Sequence, residues 1–177
     1  LKGIKCGNRS IKKQMKGLKQ NIEIFDMMIE EYGSIDNFIT SRHAFDIVGL
    51  ISMPHSKYKM KNIGEPLAWE YLRNVGIDGA KPDVHLNRFL GNGRMGKSKC
   101  EISTIDETLK QVVELSEETG MTMTRIDGII WSYCSNGYGE ICTINPKCDI
   151  CVIKEKCRKD KKDMKDNSKF EKAEFTN

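Results

Sequence analysis

The sequence predicts an all-α protein, and three observations support this fold class. Apolar residues recur at the three- and four-residue spacing of a single helix face in several long segments. Residues that favour helix N-termini stand before these segments, and glycines follow several of them. No segment shows the strict apolar and polar alternation of a half-buried strand. We therefore expect helices joined by loops.

Three helices are predicted in the first part of the chain. Ser10 is placed to cap a helix over residues 11–32, and Gly33 ends it. The predicted inner face of this helix consists of Met15, Leu18, Ile22, Phe25, Met28 and Ile29. Two shorter helices are predicted over residues 34–39 and 43–51.

Residues 61–91 contain the most informative pattern in this half of the chain. Asn62, Ile63 and Gly64 predict a tight turn, because Asn and Gly tolerate the left-handed backbone that such a turn needs. Pro66 then opens a helix that stops near Gly76. Unpaired N–H groups at a turn and a helix start bind phosphate without reading any base, so we expect an anion contact here.

The lysines before this turn allow two interpretations. Lys57, Lys59 and Lys61 lead into it and are either solvated surface residues or further contacts to phosphate. Beyond the helix, Asp83 is placed to cap another helix that runs through Leu90. On spacing alone, capping is the simpler explanation for Asp83.

The remaining segments predict a loop and two further helices. Residues 91–99 are glycine-rich and basic, but no strand precedes them, so they do not match a nucleotide-binding loop, and we expect a flexible connection. Ser103 and Thr104 begin a helix that ends at Gly120, and Thr124 begins another.

The composition fits a globular protein and excludes several classes. The chain has 177 residues, of which 38% are hydrophobic and 31% charged, and its net charge of +4 permits nucleic-acid binding without requiring it. We see no apolar run of membrane-spanning length and no secretory signal, so a cytoplasmic protein is expected. Residues 158–177 are highly charged, which predicts a disordered tail. Leu1 is not a start methionine, which is compatible with a fragment of a longer chain.

Four cysteines lie within residues 142–157, namely Cys142, Cys148, Cys151 and Cys157. Short loops between thiolates close at low entropic cost, so the four predict one metal centre rather than a disulfide framework. Both a [4Fe–4S] cluster and a structural zinc ion accept four thiolates, and the spacing does not separate them. Cys6, Cys100 and Cys134 are expected to be ordinary thiols, with Cys134 as a reserve ligand.

The pattern of residues 61–91 resembles that of the helix-hairpin-helix DNA glycosylases, the endonuclease III superfamily. In that family a glycine-rich hairpin and its second helix are followed by an aspartate at the start of the next helix. Lys81-Pro82-Asp83-Val84-His85, followed by Arg88, is similar to the segment that carries the family's catalytic aspartate. Asn62 replaces the first of the two usual hairpin glycines.

The cysteine segment resembles the iron–sulfur loop that ends one branch of this family. There, a helix containing Trp and a Gly-Tyr-like stretch precedes four cysteines, as residues 129–131 and 137–139 precede Cys142 here. The gaps in this chain are five, two and five residues, against six, two and five in the family. The resemblance therefore favours a [4Fe–4S] cluster, with structural zinc as the alternative.

The resemblance also implies a two-lobed arrangement of the helices. One lobe would span residues 34–115 and contain the helix-hairpin-helix of residues 61–91. The other would combine residues 1–33 with residues 116–157, including the metal loop of residues 142–157. We expect a monomer that binds double-stranded DNA containing a lesion.

The implied activity is hydrolysis of the bond between a damaged or mismatched base and its sugar. Asp83 would stabilise the charge on the sugar or activate water. Pro66 stands where bifunctional members carry a nucleophilic lysine, and neither Glu65 nor Leu67 supplies an amine, so we expect no strong lyase activity. The expected DNA contacts are Lys61, Asn62, Gly64, Lys81, His85, Arg88, Lys147 and Lys154.

Two other classes of protein remain open. The first is a DNA-binding protein that has lost catalysis and uses the hairpin and the metal loop for phosphate contact alone. The second is a metal protein acting in redox chemistry or protein contact, with no salt-dependent affinity for DNA.

Overall fold

The computed structural model describes the backbone of residues 11–159 and the side chains of residues 15–159. Contacts divide the chain into two compact units, Leu1–Gly79 and Ala80–Asn177. The predicted cap at Ser10, the thiol of Cys6 and most of the predicted tail lie outside the described residues. The lobe boundaries implied by the resemblance stay a prediction.

All regular structure within residues 11–159 is helical, which confirms the all-α prediction. The seven α-helices described there are α1 Ile11–Tyr32, α2 Ile35–Thr40, α3 Ala44–Ser52, α4 Glu65–Asn74, α5 Val84–Phe89, α6 Ile105–Thr119 and α7 Met123–Cys134. Two short 3-10 turns follow, Cys148–Ile150 and Lys154–Lys156. None of the helices in this part of the chain is long and apolar enough to cross a membrane.

Local capping fixes the starts of most helices. Ser34, Asp83 and Thr104 each accept a backbone N–H from the first turn that follows them, as predicted at Asp83 and Thr104. Thr104 and Glu107 complete a reciprocal capping box. Helix α7 begins at Met123 with Thr122 as its cap, so it starts one residue before the predicted position.

The core of the first unit consists of aromatic and aliphatic side chains. Phe38 and Tyr58 are buried, with their ring centroids 5.0 Å apart. Trp69 is also buried, and its ring centroid lies 4.7 Å from that of Phe45. The Tyr58 hydroxyl donates a hydrogen bond to the carboxylate of Glu31 on α1. Helix α1 is thereby connected to the segment between α3 and α4.

Helix α1 buries less of its apolar face than predicted. Met28 is buried, whereas Met15, Leu18, Ile22 and Ile29 are each at least 43% exposed. Within its unit α1 packs mainly on α2, which has six residues against the 22 of α1, and it touches α4 through the rings of Phe25 and Tyr71, whose centroids are 6.3 Å apart. A helix that rises about 1.5 Å per residue is too long to be covered by so short a partner.

The second unit is formed by α5, α6 and α7, which contact one another. Its buried apolar residues include Leu86, Leu90, Leu109, Val112, Ile126 and Ile130. Polar side chains are also buried among these helices, and each has a hydrogen-bond partner. The Thr108 hydroxyl donates to Asn87 at 2.8 Å, and the buried carboxylate of Asp127 accepts the Lys81 backbone N–H at 2.7 Å.

Residues 91–99 pack closely against other residues of the second unit, whereas a flexible connection was expected. A Cβ atom on Gly96 would lie 1.6 Å from the Leu90 carbonyl oxygen, and one on Gly91 would lie 1.9 Å from that of Glu101. The Gln111 side chain donates to the Leu90 carbonyl at 3.0 Å and accepts the N–H of residue 97 at 2.7 Å. Glycine is required here for close backbone approach.

We predict that Gly96→Ala destabilises the protein by about 1–3 kcal/mol or more, because the added methyl group collides with backbone. Gly128→Ala is the matched control, since nothing lies within 4 Å of the added Cβ on the exposed face of α7. This control should stabilise the protein by roughly 0.5–1 kcal/mol. Urea denaturation followed by circular dichroism measures both changes, and equal midpoints would contradict the packing described for this loop.

Candidate functional site

The predicted turn at residues 61–64 lies in the first unit. Asn62 adopts the left-handed conformation, with a φ of 61°, whereas Gly64 is extended. The Lys61 N–H donates to the Asn21 side chain at 2.6 Å, and the Asn21 amide donates to the Lys61 carbonyl at 3.3 Å. Asn21 of helix α1 therefore holds both backbone polar groups of Lys61 at the start of the turn.

Helix α4 begins at this turn without a side-chain cap. Gly64 is the N-cap residue and has no side chain to accept a hydrogen bond, and Pro66 lies in the first turn. Backbone N–H groups at such a helix start are suited to bind an anion from outside the protein.

The three lysines before α4 differ in their surroundings. Lys57 donates to both carboxylate oxygens of Glu31, at 2.9 and 2.6 Å. The Lys59 amine donates to the carbonyl oxygens of Met60 and Ile63, and burial followed by the charge of Lys61 lowers its pKa. Lys61 is exposed, so it is the lysine of this group best placed to contact an external phosphate.

Asp83 lies in the second unit, at the start of α5. Its Oδ1 atom accepts the backbone N–H of His85 at 2.8 Å and that of Leu86 at 3.2 Å, which confirms the predicted helix cap. The side chain is half-buried, and no partner of Oδ2 is found within the described residues. One oxygen atom is thus engaged by the helix and the other is available.

Helix α5 connects Asp83 to the cysteine segment. An Arg88 guanidinium nitrogen lies 3.2 Å from His85 Nδ1 and donates to the Cys142 carbonyl oxygen at 3.2 Å. The His85 ring also lies against Trp131 of α7, with centroids 6.3 Å apart. Arg88 and His85 are half-buried, and Arg88 joins α5 to the cysteine segment through the Cys142 carbonyl.

The four predicted ligands differ in burial, and their side chains do not converge on one point. Cys142 and Cys157 are buried, whereas Cys148 and Cys151 are partly exposed. Over residues 15–159, no three His, Cys, Asp or Glu side chains lie close enough together to hold one metal ion. Binding by all four sulfur atoms would therefore require the loop to rearrange, as is common for sites that form together with their metal.

Groups around the sulfur atoms suit negatively charged thiolates. A buried Arg94 guanidinium donates to Cys142 Sγ at 3.2 Å, and the Tyr133 hydroxyl lies 3.1 Å from Cys151 Sγ. The Nε atom of Arg88, whose terminal nitrogen contacts the Cys142 carbonyl, is buried without a hydrogen-bond partner. By donor chemistry, these residues fit a thiolate-bound metal group.

Cys134 also belongs to this neighbourhood. Its thiol donates a hydrogen bond to Cys142, and this bond, assisted by the charge of Arg94 and opposed by burial, lowers the pKa of Cys142 to about 6. The same hydrogen bond, together with burial, raises the pKa of Cys134. Burial, followed by the hydrogen bond to Cys151, raises the pKa of Tyr133.

Sequence reasoning missed Arg94 and Tyr133, which touch two of the four cysteines. Arg94 lies in the glycine-rich loop, 48 residues before Cys142, and no local sequence pattern predicts a contact over that separation. Of the remaining predicted contacts, the Lys147 amine lies 3.4 Å from the carboxylate of Glu140, and Lys154 is exposed in the second 3-10 turn.

Comparison with protein-family models, curated proteins and solved structures finds no match to this chain.

We predict that Asp83→Ala destabilises the protein by about 0.5–2 kcal/mol, because two backbone N–H groups lose their acceptor. Asp83→Asn should change the stability much less, since asparagine caps helices about as well as aspartate. Chemical denaturation of both variants tests this cap. A loss of stability in the asparagine variant equal to that in the alanine variant would show that the carboxylate charge, rather than the cap, is what stabilises α5.

Proposed function

We propose that this protein is a monofunctional DNA glycosylase of the helix-hairpin-helix, endonuclease III-like class. It would hydrolyse the N-glycosidic bond of a damaged or mismatched base in double-stranded DNA. The observation that carries the proposal is the state of Asp83, a half-buried carboxylate with one oxygen held by two backbone donors and the other without a described partner.

The chemistry needs a carboxylate in a fixed orientation. Cleavage of the bond between base and sugar builds positive charge on the sugar once the base has been extruded from the helix. In the proposed reaction, Asp83 Oδ2 stabilises this charge or accepts a proton from the attacking water. Because Oδ1 is already bound to the start of α5, the carboxylate needs little reorganisation to act.

Binding of the DNA backbone is assigned to two groups of residues. In the first unit, Lys61, Asn62 and Gly64 would hold a phosphate through the exposed amine and the helix start of α4. In the second unit, the proposed contacts are Lys81, His85, Arg88, Lys147 and Lys154. The exposed ion pair between Lys147 and Glu140 is weak enough to be exchanged for a phosphate contact.

We assign Cys142, Cys148, Cys151 and Cys157 as ligands of a [4Fe–4S] cluster, with structural zinc as the alternative. The sulfur-directed donors Arg94 and Tyr133 support a thiolate centre of either kind. When bound, such a group would fix the loop that carries Lys147 and Lys154.

The proposed enzyme lacks the lysine that would make it a lyase. Glu65, Pro66 and Leu67 occupy the first turn of α4, and none of them carries an amine. A Schiff base with the sugar requires such a nucleophile. The proposed reaction therefore ends at an abasic site with both DNA strands intact.

One observation favours a second candidate function. Capping of α5 accounts for Asp83 without any catalysis. A catalytically inactive DNA-binding protein, using the same turn and the same cysteine loop for phosphate contact, would retain this residue for stability alone.

We predict that the full chain releases a base from at least one of a panel of duplexes, each carrying a single lesion or mismatch. Abasic products are revealed by alkali, and borohydride should trap no covalent adduct. Asp83→Asn should lower the rate about 10²–10⁴-fold, because the reacting carboxylate is lost while the cap is kept. Duplex affinity, measured over a range of salt concentrations, should not fall.

Asp106→Asn is the matched control, because Asp106 is an exposed carboxylate in the first turn of another helix of the same unit. It should release the base at the rate of the unchanged chain. Salt-dependent DNA binding without release from any duplex would favour the inactive binding protein. Absence of salt-dependent DNA affinity would reject both candidates.

We also predict that protein purified without oxygen contains iron and acid-labile sulfide and absorbs broadly in the visible range. Replacing the four cysteines singly by serine should reduce the metal content, whereas Cys100→Ser, at an exposed thiol outside the loop, should not. Stoichiometric zinc would instead identify a structural zinc site. Neither metal in the purified chain would contradict the assignment of this loop.

A further inference from the structure

Arg94 is a buried cation whose described partners do not include a carboxylate. Its side chain is 7% exposed, and its two terminal nitrogens donate to Cys142 Sγ and to the Thr143 carbonyl oxygen, each at 3.2 Å. Burying a charge without an opposite charge nearby is costly. Among the described contacts of Arg94, the group that can carry a negative charge is the Cys142 sulfur. The buried guanidinium therefore favours a thiolate at Cys142.

Arg94 also contacts the other end of the cysteine segment. Its backbone carbonyl accepts the N–H of Arg158, which directly follows Cys157, at 3.1 Å. The Arg158 guanidinium donates in turn to the Gly96 carbonyl. The glycine-rich loop of residues 91–99 thus contacts the segment at the first cysteine and just beyond the last.

We propose that Arg94 is the charge-balancing and positioning residue of the four-cysteine metal centre, and that residues 91–99 form one wall of it. This inference rests on the metal centre proposed above. Four thiolates give a zinc ion or a [4Fe–4S] cluster a net negative charge, which a buried guanidinium balances. The fork of two N–H donors also fixes the orientation of Cys142, which a single ammonium would do less well.

The experiment compares three variants of the full chain, each purified without oxygen. Arg94→Gln removes the charge, and Arg94→Lys keeps the charge but loses the planar fork. Lys99→Gln is the matched control, because it removes an exposed charge from the same loop. The readouts are metal bound per chain and the rate of metal loss to a chelator, with the reduction potential added if the metal is iron. Base release is not among them.

Arg94→Gln should lose its metal about 10–100-fold faster than the unchanged chain, as is typical when a hydrogen-bond partner of a ligand is removed. Arg94→Lys should be intermediate and Lys99→Gln unchanged. If the centre is an iron–sulfur cluster, Arg94→Gln should also lower its reduction potential, because the added electron loses a nearby positive charge.

Metal retention and potential in Arg94→Gln equal to those of Lys99→Gln would overturn the inference. If Arg94→Gln fails to fold by circular dichroism, the lysine variant decides: faster metal loss with retained helix content supports the role, and unchanged retention rejects it. If the unchanged chain binds neither iron nor zinc, the proposed metal centre and the proposed role of Arg94 are both wrong. The activity assigned to Asp83 would still be tested separately by base release.

Discussion

A buried carboxylate on α7 fixes the backbone where the chain enters α5. Asp127 is 1% exposed, and its Oδ2 atom accepts the Lys81 N–H at 2.7 Å. A carboxylate removed from water is stable only when hydrogen bonds replace its hydration, so this contact strongly constrains both partners. Pro82, also buried, has a fixed φ and restricts the backbone of Lys81 before it, and Asp83 then begins α5. The position of Asp83 thus depends on α7, although the two are far apart in sequence.

The same helix fixes the beginning of the cysteine segment. The Tyr133 carbonyl accepts the N–H groups of Ile141 and Cys142, and Cys134, the last residue of α7, donates to the Cys142 sulfur. Asp127 and Tyr133 are separated by about 9 Å along the helix at the usual rise per residue. One short helix therefore positions both candidate sites of the second unit, and Arg88 of α5 completes the connection through the Cys142 carbonyl.

The features that the sequence predicts correctly are local ones. The caps at Asp83 and Thr104 and the left-handed backbone at Asn62 follow from residues within one turn of the chain. Arg94 was not predictable, because its contact to Cys142 spans 48 residues and depends on glycines that admit the backbone closely. The exposed face of α1 was missed for a related reason, since periodicity shows which residues form a stripe but not what covers it.

Capping and catalysis at Asp83 are compatible because a carboxylate has two oxygen atoms. The helix engages Oδ1 through two backbone donors, which removes rotational freedom that a reacting group would otherwise lose during the reaction. Asparagine offers the helix the same acceptor but has no negative charge to place opposite a sugar cation. In the function we propose, the residue is therefore constrained twice: the start of α5 requires an oxygen acceptor of this length, and the chemistry requires that the second group be a carboxylate oxygen. Capping alone is satisfied by several residue types, aspartate among them, whereas the proposed chemistry requires the carboxylate.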